Sequence, residues 1–240
     1  MDRRTFLSVG AVATSALAFG QNLNPFLPIE PAIAWPKGCI ERLPTSKTKR
    51  LAWTVDDGWS TSALRAYIDL LEDHEDLRMT MFVVPRATSW RTLAKPLRAL
   101  TETGRVQLAN HTMNHLSLTS VSDRKIKQEL VLTKRFIQDN FGVNPGPYFR
   151  PPFGNINARV IKVAADNGFT SPVLWYGSTG SGAGVSSASV LKNCQKWMTN
   201  GRIIVDHANS NATVANFASI RAILKARGLQ TVTLADAFGN

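Results

Sequence analysis

Two of the four histidines in this 240-residue chain stand four residues apart, in His111-Thr112-Met113-Asn114-His115. Neutral imidazole is the commonest protein ligand for zinc and its neighbours, and two rings at this spacing share a face if the segment is one helical turn. By itself the pair fits a surface loop as well as a metal site. Its weight comes from Asp56-Asp57, Arg150 and His207 elsewhere in the chain. One carboxylate and two imidazoles make a three-ligand site with a position open for water, which suits hydrolysis. A second, unligated carboxylate could deprotonate that water, and a histidine on the opposite rim could protonate the leaving group. Adjacent aspartates also occur simply as turns or helix caps, so the elements around them must decide.

Short β-branched or apolar runs at 51–55, 79–84, 106–109, 147–149, 172–175, 203–206 and 231–233 read as seven strands. Amphipathic stretches at 62–73, 92–102, 123–139, 158–167, 189–198 and 214–227 read as the helices between them. Gly104, Gly142, Gly168, Gly201 and Gly228 stand where a helix C-cap needs a left-handed residue. This alternation predicts a parallel α/β architecture, a distorted β/α barrel of about seven strands. The rival, a doubly wound sheet with a dinucleotide site, needs a glycine-rich turn after the first strand. That turn is Asp56-Asp57-Gly58, whose carboxylates would repel a pyrophosphate. The run Gly177-Ser178-Thr179-Gly180-Ser181-Gly182-Ala183-Gly184 lacks a phosphate-loop lysine and reads as a flexible loop at the rim of a groove. In a parallel barrel the active site gathers at the C-terminal strand ends. Asp56-Asp57, His111, His115, Arg150 and His207 all follow strands at that end, whereas His74, in an acidic stretch, reads as a solvated helix end.

A composition of 44% hydrophobic and 19% charged residues allows one well-buried core and excludes a disordered or fibrous chain. Residues 1–18 carry Arg3-Arg4 ahead of a small-sided apolar run ending in Ala16-Leu17-Ala18, which reads as a twin-arginine export signal to the periplasm, envelope or medium. No apolar run reaches the length of a bilayer span, so no transmembrane segment is expected. Residues 19–48 contain Pro25, Pro28, Pro31, Pro36 and Pro44 and read as a linker that packs across the body or stays mobile, leaving a catalytic domain at 49–240. The net charge of +11 favours an anionic partner such as a cell-wall polymer, and serves solubility equally. Scattered lysines and arginines without a recognised motif argue against nucleic acid. Cys39 and Cys194 could be joined in an oxidising envelope or remain thiols.

Four segments, Thr54-Val55-Asp56-Asp57-Gly58, His111 to His115, Arg150-Pro151-Pro152-Phe153-Gly154 and Val205-Asp206-His207, resemble in order four of the five motifs of polysaccharide deacetylases, the fourth carbohydrate esterase family. The resemblance runs from about Lys49 to the C-terminus. It implies a distorted seven-stranded barrel that removes an N- or O-acetyl group from a glycan with one divalent metal, Zn2+ first, with Co2+ or Mn2+ as alternatives. Carried over by position, Asp57, His111 and His115 would bind the metal and Asp56 would be the general base. Arg150 would hold the Asp56 carboxylate, and the Phe153 backbone N–H would help stabilise the oxyanion. His207 would be the general acid, and Val205, in place of the usual leucine, would border the acetyl-methyl pocket.

One segment departs from the family pattern. After the fifth strand members carry aspartates and a tryptophan, the acid supporting the catalytic histidine; Trp175-Tyr176-Gly177-Ser178-Thr179-Gly180-Ser181-Gly182 has no acid. Asp206 should point to the opposite strand face from His207. Asp236, just past the last strand, is therefore the expected substitute. Trp59, Trp90 and Trp175 are candidates to stack on sugar rings. The expected activity is N-deacetylation of a chitin-, peptidoglycan- or exopolysaccharide-like polymer. The alternatives are an O-acetyl ester hydrolase, as on acetylated xylan, and a catalytically silent metal- or glycan-binding protein of the envelope.

Overall fold

Strand β1 (Arg50–Asp57) is buried from its second residue onward, as a parallel strand covered on both faces must be. Its side chains alternate. Leu51, Trp53 and Val55 pack into the outer core against the helices, while Ala52 belongs to an inner cluster with Phe82, Ala109, Tyr148 and Ile203. Period-two alternation carries that inner row on to Thr54 and Asp56, so the interior turns from apolar to polar towards the C-terminal end.

The structure, a computed structural model, describes residues 36, 38–182 and 184–239. The export signal expected at 1–18 and residues 19–35 and 37 of the linker lie outside the described residues. The remaining strands are β2 (Met79–Val83), β3 (Val106–Asn110), β4 (Tyr148–Phe149), β5 (Ser171–Pro172), β6 (Gly177–Ser178), β7 (Arg202–His207) and β8 (Gln230–Thr231). Seven of them run in the order β5-β4-β3-β2-β1-β7-β6, all parallel, and β8 pairs with β1 beside them. The fold is thus an α/β half-barrel of seven parallel strands, the distorted barrel that the alternation predicts.

The helices are α1 (Thr61–Asp73), α2 (Ser89–Thr92), α3 (Ala94–Glu102), α4 (Asp123–Phe141), α5 (Ala158–Ala165), α6 (Ser187–Trp197), α7 (Phe217–Arg227) and α8 (Leu234–Phe238). Side chains of Ser60, Ser122, Asn157 and Ser186 cap α1, α4, α5 and α6 by accepting the backbone N–H three residues on. The glycines expected as helix ends all have positive φ, and Gly142 and Gly228 are the C-caps of α4 and α7. The helix expected at 92–102 is broken at Leu93 into α2 and α3. Pro96 explains the break, because it offers no N–H to the carbonyl of Thr92 and its ring crowds that carbonyl.

Some strand expectations need correction. The first strand runs on to Asp57 and the sixth to His207, so Asp56, Asp57 and His207 end strands rather than follow them. Only Ser171–Pro172 of the fifth forms a strand, and Gly177–Ser178, read as part of a flexible loop, is a strand on β7. Short apolar runs do not reveal which residues find a ladder partner.

The strand order ends at β5 on one side and β6 on the other. The chain at 40–43 crosses between the two sides. Ile40 N–H donates to Pro172 O at 2.8 Å and Leu174 N–H to Ile40 O at 2.7 Å, while Leu43 N–H donates to Gly201 O at 2.9 Å. Leu43 is buried in the inner cluster. The Arg42 and Arg202 guanidiniums both rest on the Tyr176 ring, at 3.7 and 3.6 Å. Cys39 and Cys194 are free thiols. No helix among the described residues is long and apolar enough to cross a membrane. If residues 40–43 close the barrel, Leu43→Ala should lower unfolding stability by about 2–3 kcal/mol. Urea denaturation measures this, and an unchanged midpoint would show that the crossing is dispensable.

Candidate metal centre

The site is built from the ends of β1, β3 and β7 and the loop after β4. Among the described residues, the non-glycine residues with positive φ are Asp57 (+73°), Thr112 (+68°), His115 (+56°) and Phe153 (+61°). All four belong to this end of the barrel. Local backbone strain is collected where side chains must be aimed, rather than spread through the fold.

Alternation would send Asp57 outward with Trp53 and Val55, and its left-handed φ turns the carboxylate inward beside Asp56. Helix α2 clamps that turn. Trp90 Nε1 donates to Asp57 O at 2.7 Å, and the Ser89 hydroxyl donates to Gly58 O. A Cβ at Gly58 would lie 2.7 Å from Trp90 Nε1, so only glycine lets the indole reach the turn. Trp90 is therefore fully buried structural support and cannot stack on a sugar, contrary to expectation.

His111 and His115 lie in a loop, not on a helical turn, and the left-handed residues Thr112 and His115 bring the rings together. Asn110 Oδ1 accepts Thr112 N–H at 2.9 Å. The buried Glu129 of α4 accepts Asn114 N–H at 2.7 Å and Asn114 Nδ2 at 2.8 Å. His111 Nδ1 lies 2.7 Å from Arg150 O, an acceptor, so Nδ1 carries the proton and Nε2 carries the lone pair.

Asp57 Oδ1 is buried without a hydrogen-bond partner. It lies 3.3 Å from His111 Nε2 and 3.2 Å from His115 Nε2, and one ligand atom from each of the three residues falls within 4.8 Å of the others. Atoms each about 2.1 Å from one tetrahedral ion lie about 3.4 Å apart, so the donor set and its spacing fit a divalent metal. With neither a cation nor a proton between them, these lone pairs would face one another uncompensated. Burial opposes charge on Asp57, yet His111, His115 and a 2.7 Å bond from Asn209 Nδ2 hold its carboxyl well below the usual range. Burial and the neighbouring His111 push His115 down to about 4, leaving it neutral at pH 7, the ligating form. At His111, burial opposes a proton, but Asp56 and Asp57 outweigh it and raise the imidazole. The pocket thus attracts positive charge to the place where a metal would sit.

Asp56 is held differently. Its Oδ1 accepts Arg150 Nη1 at 2.6 Å, and its Oδ2 lies 3.6 Å from His111 Nε2, beside the ligand set. The cleft above, about 200 Å³, is lined by both aspartates, both loop histidines, Pro151, Phe153, Trp175, Gly182, His207 and Asn209. Val205 is buried on β7 and is not among the lining residues. Phe153 is 64% exposed, its ring edge-on to His115 at 4.6 Å. His74 follows α1, away from the cleft lining. Asp236 does not reach His207: it pairs with Arg78 at 2.6 and 2.8 Å and caps α8, at the opposite end of the strands. Nothing in the sequence pattern singled out Asn209 or Glu129. For Asn209, its place two residues past His207 was the available signal.

Residues 44–172 match the family profile described as polysaccharide deacetylase, and the chain belongs to that family. It is 28% identical over 207 residues to a peptidoglycan-N-acetylglucosamine deacetylase of Bacillus cereus, covering 84% of this chain and 93% of that protein. It spans 41% of the length of a Listeria monocytogenes enzyme of the same kind, also at 28% identity. Among solved structures it is similar to a pseudoenzyme of carbohydrate esterase family four from Bacillus anthracis, with a TM-score of 0.71 at 19% identity, over 82% of this chain and 68% of that one.

Calorimetric titration with zinc should give one site per chain, lost in His111→Ala and weakened by about 10- to 100-fold in Asn209→Ala, since partners that orient a ligand typically matter by that much. Unchanged affinity in His111→Ala would remove the metal centre from these residues.

Proposed function

We propose that the protein is a divalent-metal-dependent deacetylase acting on the N-acetyl groups of a polysaccharide of the peptidoglycan or chitin kind. The observation that carries the reading is the placement of Asp56: one oxygen is engaged by Arg150 and the other lies beside, but outside, the Asp57, His111 and His115 set. The names of the relatives support the substrate class. Zn2+ is the first choice of metal, with Co2+ or Mn2+ as substitutes. When bound, it supplies Lewis acidity towards the acetyl carbonyl and a water molecule.

The chain's own residues do the rest. Asp56 Oδ2 accepts the proton of the attacking water, and Arg150 keeps the carboxylate from rotating away. The Phe153 backbone N–H, at a left-handed residue on the cleft wall, donates to the developing oxyanion. His207, on the opposite wall, gives a proton to the leaving amine nitrogen. A cleft of about 200 Å³ is smaller than most ligand pockets, so it takes the acetyl group while the sugar chain lies across the opening. Phe153 and Trp175 line the cleft, and Trp59, 45% exposed and joined through its backbone N–H to Asn209 of that lining, is a further surface for a sugar ring. Val205, expected to border the acetyl methyl, is buried on β7 outside the cleft lining and is given no part here. The net charge of +11 suits an anionic wall polymer, and the signal read at 1–18 would deliver the enzyme to it.

The contacts of His207 favour a second reading. Among the described residues its ring meets no carboxylate directly, and an alkoxide leaves more readily than an amine, so an O-acetyl ester would tolerate weaker acid catalysis. Acetate release from an N-acetylglucosamine oligomer and from an acetylated xylo-oligomer, with zinc, cobalt or manganese and with a chelator, separates the two. Release from the first is expected, with kcat in Asp56→Asn down by about 100- to 10,000-fold while zinc stays bound. Release from the xylo-oligomer alone would move the assignment to esters. Metal and glycan binding without acetate from either would make this a silent member of its family.

A further inference from the structure

The carboxylate Asp206 has no exposed surface and faces away from the cleft, between β7 and the helices, as strand alternation requires. Its oxygens accept Trp53 Nε1 at 2.9 Å, Thr179 Oγ1 at 2.7 Å, Thr213 Oγ1 at 2.9 Å and His207 N–H at 2.9 Å, besides the Tyr67 hydroxyl. All five donors are neutral. Burial, with the Asp206 charge behind it, pushes the Tyr67 phenol well above its ordinary value, which keeps it a donor. A buried carboxylate is costly even when fully hydrogen-bonded, and the site described so far makes no use of this one.

From Asp206 a line of hydroxyls leads around the end of β7 to the cleft. Thr179 Oγ1 lies 3.0 Å from Ser181 Oγ, and Ser181 Oγ lies 3.2 Å from His207 Nδ1 while accepting His207 N–H at 3.0 Å. Thr179 and Ser181 are both buried. Gly180 between them has φ +70°, and a Cβ there would meet Asn193 Nδ2 at 2.6 Å, so the bend that joins the two hydroxyls requires glycine. Asn193 Nδ2 also donates to Thr179 O at 3.0 Å, tying the bend to α6.

We propose that Thr179 and Ser181 are positioning residues that relay the Asp206 carboxylate to His207 and hold its imidazole as the Nδ1–H tautomer. The proposal deepens the deacetylase reading and rests on it for the role of His207. Counting protons gives the direction. Thr179 has one hydroxyl hydrogen, and its shortest contact, to a charged acceptor, is Asp206. Thr179 Oγ1 is placed to donate to Ser181 Oγ as well, but the Asp206 bond takes its one hydrogen, so the relay requires Ser181 to turn its own hydrogen to Thr179 Oγ1 and to accept from His207 Nδ1. With Nδ1 occupied, Nε2 is the atom left to take up and release a proton towards the cleft. The segment that lacks the expected acid thus orients the histidine with two hydroxyls and an acid from the back of the strand.

Long-range 15N–1H NMR of the zinc-loaded protein with labelled histidine reads the tautomer, the His207 signals being those absent from His207→Gln. The wild type should show Nδ1–H with a bare Nε2. Ser181→Ala should shift the ring towards Nε2–H, Ser181→Thr should restore it, and Thr179→Val should mimic Ser181→Ala. In acetate-release assays Ser181→Ala should lower kcat by roughly 10- to 100-fold at unchanged KM, part of a general acid's contribution. A wild-type tautomer in folded Ser181→Ala overturns the relay even if acetate is released. The expected tautomer changes in a protein that releases no acetate would uphold the relay as geometry and reject the deacetylase reading instead.

Discussion

Arg150 has no exposed surface, and its side chain and backbone together reach three parts of the barrel. Nη1 donates to Asp56 Oδ1 at 2.6 Å and Thr54 Oγ1 at 2.8 Å on β1, while Nε and Nη2 donate to the carbonyls of Val173 and Leu174 just after β5. Its backbone N–H donates to Asn110 O at the end of β3, and its carbonyl meets His111 Nδ1. β4 and β5 are only two residues long, so few ladder bonds hold this side of the sheet. The arginine supplies the cross-links that the short strands cannot. Burial pulls its guanidinium below the ordinary value, with Asp56 opposing, and the pair stands because each charge completes the other. Removing either partner would leave an uncompensated buried charge, a loss of about 3–5 kcal/mol in such settings.

That pairing also separates two adjacent carboxylates into different tasks. Asp56 is balanced by a fixed positive charge within the protein, so it does not need the metal. Asp57 has no such counterion: one oxygen is steadied by Asn209 and the other faces two imidazoles. A divalent cation would supply what Asp57 lacks, and on the proposed reading the neighbour would stay available for proton transfer. Neighbouring groups whose surroundings differ in this way are how one site obtains both a ligand and a base. The strain at Asp57 follows from the same need, since an unstrained strand would have pointed one of the two outward.

Much of this was legible in the sequence. Residue types at strand ends, together with the alternation of apolar runs and amphipathic stretches, pointed to the barrel and to the cluster of Asp57, His111, His115, Asp56, Arg150 and His207 that the structure assembles in one cleft. What stayed hidden depends on contacts between residues distant in sequence. Trp90 looks like a sugar platform until the packing against Gly58 is known, and Gly177–Ser178 looks like loose loop until it pairs with β7. Asp236 was placed near the cleft because it follows the last strand, but β8 pairs only with the start of β1, through Arg50 and Leu51, so the residue lies at the far end. Neither strand length nor register can be read from a two-residue apolar run.

The fold alone says little about whether such a site works, since this chain superposes well on a pseudoenzyme. The decision lies in individual side chains. Here the residues expected as ligands and base are brought together, and the departure from the family pattern that bears on the expected acid is what stands behind His207. A carboxylate directly on the ring would both orient it and stabilise its positive charge. Moving the carboxylate to the far face of β7 and interposing two hydroxyls preserves the direction of the hydrogen bond at Nδ1 while placing the negative charge farther from the imidazole. Orientation is thereby retained more fully than charge stabilisation. The site would then rely less on a strongly basic histidine and more on the metal and Asp56, an allocation that favours the step in which water attacks over the step in which the leaving group departs.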